Sequence, residues 1–345
     1  MNYCLALKEL GYAISYAPMD NLCRIEDKAL LMGSRGIQVL AHPEIESIHD
    51  IFVKQSLEFD LVLIARPGNY RHLEMIRKLA PTTPVAYFTH DLHFLRTNRT
   101  AANLTSPDEK KKLLKKSAKL KQLETRIFKD VDLVLHISEQ ENQIAQALHS
   151  HTSVVLPPVV STTDTAVVPQ QNDSPRQVLF VGNFAHAPNV TAAQWMVEDI
   201  WPLVHEQRPE LQLLIAGKNP PAGLDQHPSI QVLGYVENLS ELLHRAHVGL
   251  APLLEGAGVK GKVLSSLAHG LPMVTTSIGA EGIISAQRSC DAVRVADHAE
   301  ELAALVVELS DTSPEQRQML SAIGRGFIAD HFSPAALISS FKQML

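Results

Sequence analysis

The feature that most constrains the fold is a repeated alternation between short apolar runs and longer segments with helical spacing. Apolar runs of about four to eight residues predict buried strands, and apolar residues spaced three and four apart predict helices. Strands that alternate with helices form βαβ units, which build a mainly parallel sheet. The predicted strands of the first half are YAISYAP, GIQVLAH, DLVLIAR, TPVAYFTH, VDLVLHIS and TSVVLPP.

The alternation is interrupted at residues 161–176, a polar and proline-containing stretch without periodicity that is predicted to be a linker. A chain of 345 residues exceeds what one core usually supports, so two domains are expected. We predict an α/β protein with two doubly wound domains, at residues 1–160 and 177–331. A helix at 332–345 is predicted to pack back toward the first domain. The strands of the second half are QVLFVG, LQLLIAG, IQVLGYV, VGLAPL and PMVTTS.

The first domain begins unusually. Residues 1–10 have the spacing of a helix, whereas a doubly wound domain normally opens with a strand and a glycine-containing turn. The opening strand is therefore expected to be missing, either because the domain begins unusually or because an upstream segment belongs to the protein.

Charge and cysteine content argue against several classes of protein. A net charge of -6 and a pI near 6.2 disfavour a general nucleic-acid binder, whose surface would be basic. The three cysteines lack metal-ligand spacing and fit a reducing compartment. The sequence contains no signal peptide and no uncharged apolar stretch of about 18 residues. We therefore expect a cytoplasmic protein that has no nucleic-acid partner and no metal.

The stretch from Glu255 to Thr276, EGAGVKGKVLSSLAHGLPMVTT, places glycines and lysines directly before a predicted helix and strand. Free N–H groups at the helix start and the ammonium groups of Lys260 and Lys262 would together bind a diphosphate. Gly256 and Gly258 would allow the backbone to approach the ligand closely. An ordinary surface loop before a helix is the alternative explanation.

Other candidate residues follow the predicted strands of the second half, at the sheet edge where α/β folds bind ligands. At such an edge helix N–H groups can bind phosphate, backbone groups can pair with a base, and an aromatic ring can stack on it. Asn189 is predicted to cap the helix after QVLFVG. The candidate residues at the strand ends are Gly182 and Asn183 for the phosphates, Lys218, Tyr235 and Val236 for the nucleoside, and Glu281 at the same cleft. The set predicts a nucleotide-diphosphate site.

Residues 178–282 resemble the donor-binding domain of glycosyltransferase family 4, in the branch found in bacterial polysaccharide gene clusters. The resemblance rests on VLFVGNFAHAPNVTAAQWMVEDIWPLV, LLIAGKNPP, VLGYV, GLAPLLEGAGVKGKVLSSLAHGLPMVTT and GAEG, in that order. The first domain is similar more loosely, through VAYFTHDLHFLR and DLVLHISEQE. The resemblance implies a GT-B fold with an interdomain cleft and a nucleotide-diphosphate sugar donor. It also implies transfer with retention of anomeric configuration, without a metal or other cofactor.

The resemblance assigns roles to individual residues of the stretch from Glu255 to Thr276. It places the phosphate-contacting lysine of the family at Lys262, with Lys260 beside it, and a glutamate that contacts the transferred sugar at Glu255. The glutamate that usually holds the ribose falls on Ser265, which offers a single neutral hydrogen bond. That loss would cost about 1.5 to 3 kcal/mol of donor binding. The donor sugar is expected near Gly256, Ala257, Gly258 and Glu281.

In the first domain His90 directly follows a predicted strand, and the resemblance gives it a contact with the donor sugar near the reacting carbon. Its role would be hydrogen bonding and electrostatic stabilisation of an oxocarbenium-like transition state. Asp91, His93 and Arg96 are candidates for acceptor contacts. A capped helix start with two hydrogen-bonded histidines is the alternative, and a metal site here is disfavoured because no companion cluster has zinc spacing.

The segment 108–128 has seven lysines between Lys110 and Lys121, interleaved with leucines. A helix here would have a basic and an apolar face, the pattern of helices that bind anionic membranes. Lipid-linked acceptors, which suit the resemblance, would bring such a protein to the inner face of the membrane. A solvated helix whose leucines pack on the first domain is the alternative.

We predict a retaining glycosyltransferase that moves a sugar from a nucleotide-diphosphate sugar to a glycan or lipid-linked acceptor in bacterial polysaccharide assembly. A nucleotide-sugar epimerase of the UDP-sugar 2-epimerase kind is one alternative, although it needs carboxylates that face the sugar and only Asp91 is available. A degenerate, non-catalytic sugar-nucleotide-binding domain is the other, suggested by Ser265 and the missing opening strand.

Overall fold

The computed structural model describes residues 1–18, 22–53, 58–160 and 176–344. The predicted linker at 161–176 lies outside these residues, apart from Arg176. The chain divides into two compact units. The first unit comprises Met1–Phe94, Ala118–Val159 and Pro334–Leu345, and the second comprises Leu95–Ser117 and Val160–Ser333.

Helices and strands alternate along both halves of the chain, as the periodicity predicted. The first half contains α1 (Asn2–Glu9), β1 (Ser15–Tyr16), α2 (Glu26–Ser34), β2 (Gln38–Val39), α3 (Ile48–Val53), β3 (Val62–Ala65), α4 (Leu73–Leu79), β4 (Val85–Phe88), α5 (His93–Ala102), α6 (Pro107–Asp130), β5 (Leu133–His136), α7 (Glu139–Leu148) and β6 (Ser153–Val155). The second half contains β7 (Gln177–Val181), α8 (Ala187–Trp195), α9 (Trp201–Gln207), β8 (Gln212–Ala216), β9 (Ile230–Gly234), α10 (Leu239–Arg245), β10 (Val248–Ala251), α11 (Gly261–Ala268), β11 (Met273–Thr275), α12 (Ser277–Ala280), β12 (Val293–Val295), α13 (Ala299–Ser310), α14 (Pro314–His331) and α15 (Pro334–Met344).

The main sheet of the first unit has four parallel strands in the order β3-β4-β5-β6. Helices α1 and α15 pack together on this sheet, where Leu337 and Phe341 are fully buried and Tyr3 lies 4.9 Å from Phe88, ring centroid to ring centroid. Strands β1 and β2 form a separate parallel pair. A doubly wound domain normally opens with a strand, whereas the first element of this chain is helix α1, Asn2–Glu9.

The sheet of the second unit has six parallel strands in the order β12-β11-β10-β7-β8-β9. This is the doubly wound order, in which the chain starts in the middle of the sheet, builds outward on one side and then on the other. Phe180, Ile215, Trp201 and Val306 belong to the core that covers one face. The predicted doubly wound α/β fold is confirmed, and the reversal of direction falls between β7 and β10.

The helical segment that follows β7 is irregular in its middle. Helices α8 and α9 are joined by a turn of π-helix at Met196–Ile200. Pro202 lies in the first turn of α9 and has no N–H to donate to the carbonyl of the preceding turn. The π turn absorbs that interruption without ending the helix.

The units divide between Val159 and Val160, but one segment of the first half of the chain is grouped differently from the predicted domain 1–160. Leu95–Ser117, which include most of α5 and the first half of α6, group with the second unit. The physical reason is a set of hydrogen bonds from Arg99 and Asn103 to Leu254, Gly256 and Glu281. Pro334–Leu345, which contain α15, group with the first unit.

None of the described helices combines the length and the apolar composition that crossing a bilayer requires.

Candidate functional site

The candidate site of the second unit lies at the carboxyl ends of β7 and β10, where the strand order reverses. Gly182 follows β7 and Gly217 follows β8, and the Gly182 N–H donates to the Ala216 carbonyl over 2.9 Å. A Cβ atom on Gly217 would lie 1.6 Å from the Gly182 carbonyl oxygen, and the φ of Gly217 is +152°. Only glycine fits there, so the two strand ends approach each other as closely as their backbones allow.

The glycine loop, defined as residues 252–260, leads from β10 into α11. Gly256 and Gly258 have φ angles of +119° and +72°, in the left-handed region that glycine tolerates. Lys260 is the N-cap residue of α11, and its side chain does not cap the helix. The Lys260 side chain therefore does not compete with an anion for the start of α11, and the phosphate role of this helix start stays a prediction.

Lys262 lies in the first turn of α11. Its ammonium donates a 2.5 Å hydrogen bond to Oδ1 of Asn189 and lies 4.6 Å from the centre of the Phe180 ring. Burial, and after it the charge of Lys260, lowers the pKa of Lys262 to about 7. The negative charge of a bound diphosphate would offset both effects and favour the charged form of Lys262.

The predicted cap role of Asn189 is wrong. His186 is the N-cap of α8, and Asn189 lies one turn inside the helix. Its side-chain amide donates a 2.7 Å hydrogen bond to the Asn183 carbonyl, while its oxygen accepts from Lys262. Asn189 therefore connects the end of β7 with the lysine, a role that local spacing could not distinguish from capping.

Glu255 is a buried carboxylate that is 3% exposed. Its Oε1 accepts a 3.2 Å hydrogen bond from the Thr191 hydroxyl. Within the described residues its Oε2 is buried and has no hydrogen-bond partner. A carboxylate oxygen held dry and unpaired is costly, which points to an external donor such as a sugar hydroxyl. Thr191 and Asn189 are both on α8, so one helix holds Glu255 and Lys262.

Lys260 and Glu281 contact each other instead of facing an empty space. The Lys260 ammonium donates to the Gly258 carbonyl and lies 3.6 Å from Oε2 of Glu281. Glu281 is 6% exposed, and both of its oxygens accept hydrogen bonds from Arg99, at 2.7 and 2.9 Å. Its sugar contact stays a prediction, and its full set of partners favours a supporting role.

The residues predicted for the nucleoside follow β8 and β9. The Lys218 ammonium lies 4.4 Å from the centre of the Tyr235 ring, and Tyr235 is 62% exposed. An exposed ring at a strand end can stack on a base. Val236 is half-buried, and so is Ser265, which lies on α11 one turn after Lys262.

In the first unit His90 follows β4 with a φ of +57°, and Arg66 follows β3 with a φ of +69°. Non-glycine residues rarely adopt this conformation, and strain of this kind concentrates at functional sites. Partial burial, and after it the charge of Arg66, lowers the pKa of His90. Arg66 is not among the predicted site residues, although its position directly after DLVLIA places it at the end of a predicted strand.

Asp91, His93 and Arg96 lie at the start of α5. The N–H of His93 donates to Glu124 over 3.0 Å, and Nδ1 of His93 lies 3.4 Å from Asp91. The N–H of Leu92 donates to Glu141 over 3.2 Å. These contacts favour the capped helix start, and the acceptor contacts stay predictions. Among the residues that the structure describes, no group of three His, Cys, Asp or Glu side chains is placed to hold a metal.

Residues 175–312 match the model of the family described as glycosyl transferases group 1. The chain is 31% identical over 117 residues to "Uncharacterized 44.6 kDa protein in cps region" of Klebsiella pneumoniae. That match covers 30% of this chain and 30% of that curated relative.

Two solved structures resemble nearly the whole chain. Sucrose-phosphate synthase from Thermosynechococcus elongatus is 16% identical, with 99% of this chain and 90% of that one covered and a TM-score of 0.69. Anabaena HepE in complex with UDP and glucose is 11% identical, with 99% and 94% covered and a TM-score of 0.64. At these identities the likeness shows the fold alone, and the predicted GT-B fold is confirmed.

Proposed function

We propose that this chain, whose second unit carries a glycosyl transferases group 1 domain on a GT-B fold, transfers a sugar from a nucleotide-diphosphate sugar to a glycan or lipid-linked acceptor. One observation carries the proposal: helix α8 holds both a half-buried ammonium, Lys262, and a buried carboxylate with an unpaired oxygen, Glu255. The relative from a cps region supports a place in polysaccharide assembly.

Lys262 suits the diphosphate end of a nucleotide-diphosphate sugar, and Glu255 suits the sugar end. In the proposed reaction the bond between the anomeric carbon and the diphosphate oxygen breaks, and the acceptor oxygen bonds to that carbon. Lys262 and the N–H groups of α11 stabilise the charge that develops on the leaving diphosphate, which takes the acceptor proton. Glu255 accepts a hydrogen bond from a sugar hydroxyl. The contact with the donor sugar that the resemblance gives to His90, and retention of configuration, stay predictions.

Thermal unfolding of the whole chain with nucleotide sugars tests the donor site. The probes are millimolar UDP, UDP-glucose, UDP-N-acetylglucosamine, GDP-mannose, ADP-glucose, CMP-sialic acid and dTDP-rhamnose, with UDP first because it occupies the Anabaena protein. At least one should raise the melting temperature by mass action. Lys262→Met should abolish that rise, whereas Lys28→Met, an exposed lysine of α2, should preserve it.

The outcomes separate the candidate functions. No shift with any probe contradicts the donor site. A shift without transfer of radiolabelled sugar to lipid-linked or glycan acceptors favours the non-catalytic binder. Conversion of the donor into its 2-epimer without an acceptor favours the epimerase.

Helix α6 supports the further proposal that the protein contacts anionic membranes. The seven lysines between Lys110 and Lys121 are all exposed, and Leu114 is 42% exposed, whereas Ile127 and Phe128 are fully buried. The free surface of α6 is therefore basic more than apolar, and binding should depend on lipid charge and salt.

Cosedimentation with vesicles tests this contact. Binding to phosphatidylglycerol vesicles, but not to phosphatidylcholine vesicles, should weaken when Lys111, Lys115 and Lys119 are changed to Gln. The same change at three lysines outside α6 (Lys28, Lys78 and Lys342) is the control. Equal binding by both triple variants would contradict a role for α6.

A further inference from the structure

Helix α5 and the residue directly after it, Asn103, are attached to the glycine loop at two points. Nη1 of Arg99 donates a 2.8 Å hydrogen bond to the Gly256 carbonyl. Four residues later, Nδ2 of Asn103 donates a 3.2 Å hydrogen bond to the Leu254 carbonyl. The two carbonyls belong to the residues on either side of Glu255. The C-terminal end of α5, with Asn103, therefore holds the backbone before and after the buried carboxylate.

The Arg99 end of this attachment is itself fixed by Glu281. The two terminal nitrogens of the Arg99 guanidinium, Nη1 and Nη2, donate to the two oxygens of the Glu281 carboxylate, at 2.7 and 2.9 Å. This bidentate geometry gives the strongest and most directional ion pairs. The Arg99 side chain is 25% exposed and that of Glu281 is 7% exposed, so water competes little for either. Lys260, 3.6 Å from Glu281, adds a second positive charge to the pair.

The loop needs such support because its own backbone is permissive. Gly256 has a φ of +119°, and a glycine has many alternative conformations of similar energy. A free loop would turn the unpaired oxygen of Glu255 toward water, where a carboxylate is better solvated. The structure keeps it 3% exposed instead.

We propose that Arg99 and Glu281 are positioning residues for Glu255: together with Asn103 they hold the glycine loop so that the Glu255 carboxylate stays buried and unpaired until a donor sugar arrives. The purpose of this arrangement, which is to keep Glu255 ready for a donor sugar, rests on the proposed function. Its mechanical part, which is the effect of Arg99 and Glu281 on the position of the loop, stands without the proposed function. It assigns Glu281 to the support of the loop, and Arg99 to the same site although it lies in the first half of the sequence.

A double-mutant cycle in the absence of any ligand tests the mechanical part. Glu255→Gln should raise the melting temperature of the otherwise unchanged protein, because it removes an unpaired buried charge. In an Arg99→Gln background the loop is released and Glu255 reaches water, so the same change should give no rise. An equal rise in both backgrounds would overturn the inference. Asn103→Ala, which removes only one hydrogen bond, should reduce the rise without abolishing it.

Donor kinetics test the purpose and keep the two proposals distinguishable. Arg99→Gln should lower kcat about tenfold or more and leave the donor KM within about threefold, because positioning acts on the transition state. In a Glu255→Gln background it should lower kcat no further. Arg208→Gln, which breaks an exposed bidentate pair with Asp311 in the same unit, is the matched control and should leave kcat unchanged. A wild-type chain without donor binding contradicts the proposed function, whereas additive kcat losses contradict the positioning role.

Discussion

The two glutamates of the glycine-loop region should respond to the same substitution with opposite signs. Glu255 has one hydrogen bond and one buried oxygen without a partner, whereas Glu281 has both oxygens paired with Arg99. Glu255→Gln keeps the shape and the Thr191 hydrogen bond and removes the charge. Glu281→Gln keeps the shape and leaves the Arg99 guanidinium without its counter-charge.

The magnitudes follow from these contacts. An unpaired buried acceptor costs about 1–3 kcal/mol, and part of that is lost again because the new amide must bury an N–H group. Glu255→Gln should therefore raise the free energy of unfolding by about 1 kcal/mol, which is about 2–4 °C for a unit of this size. Glu281→Gln should lower it by about 2 kcal/mol, less than for a fully buried pair because Arg99 is partly exposed.

Tryptophan fluorescence during thermal or urea unfolding measures the relevant unit. The chain has two tryptophans, Trp195 and Trp201, and both lie in the second unit. The signal therefore follows the unit that contains both glutamates. A lower melting temperature for Glu255→Gln would refute the reasoning, since it would mean that the carboxylate is stabilised by its surroundings.

Three further predictions concern other parts of the molecule. The pKa of Lys262 is lowered to about 7, and a bound diphosphate favours the charged form of this lysine, so nucleotide affinity should fall as the pH rises from about 7 to 9. Calorimetry in buffers of different ionisation enthalpy should show that protons are taken up on binding. Lys262→Met should remove both the pH dependence and the proton uptake. Gly217→Ala should destabilise the second unit by about 3 kcal/mol, because its Cβ would overlap the Gly182 carbonyl oxygen; an unchanged urea midpoint by tryptophan fluorescence would contradict this. His90→Gly should stabilise the first unit by about 1 kcal/mol, because glycine adopts the φ of +57° without strain, and should lower turnover; slower hydrogen exchange of β4 amides is the expected signal, and faster exchange the contrary one.

Local patterns predicted much of the candidate site because its parts are close in sequence or follow strands. Lys260 and Lys262 directly precede or open a helix, and Gly182 and Tyr235 directly follow strands, so their place at the carboxyl edge of a parallel sheet was readable. The periodicities of strands and helices are likewise local, and they predicted the doubly wound α/β fold.

Contacts between distant residues were decided only by the tertiary structure. Arg99 and Glu281 are separated by 182 positions, and Thr191 and Glu255 by 64. Nothing in the sequence around Arg99 distinguishes it from other helical arginines. Its role depends on which loop α5 packs against, and the same packing moved the border of the second unit to include Leu95–Ser117. Periodicity determines which face of a helix is buried, whereas the partner of that face is chosen by the packing of the whole unit, and that is why the supports of Glu255 emerged only from the fold.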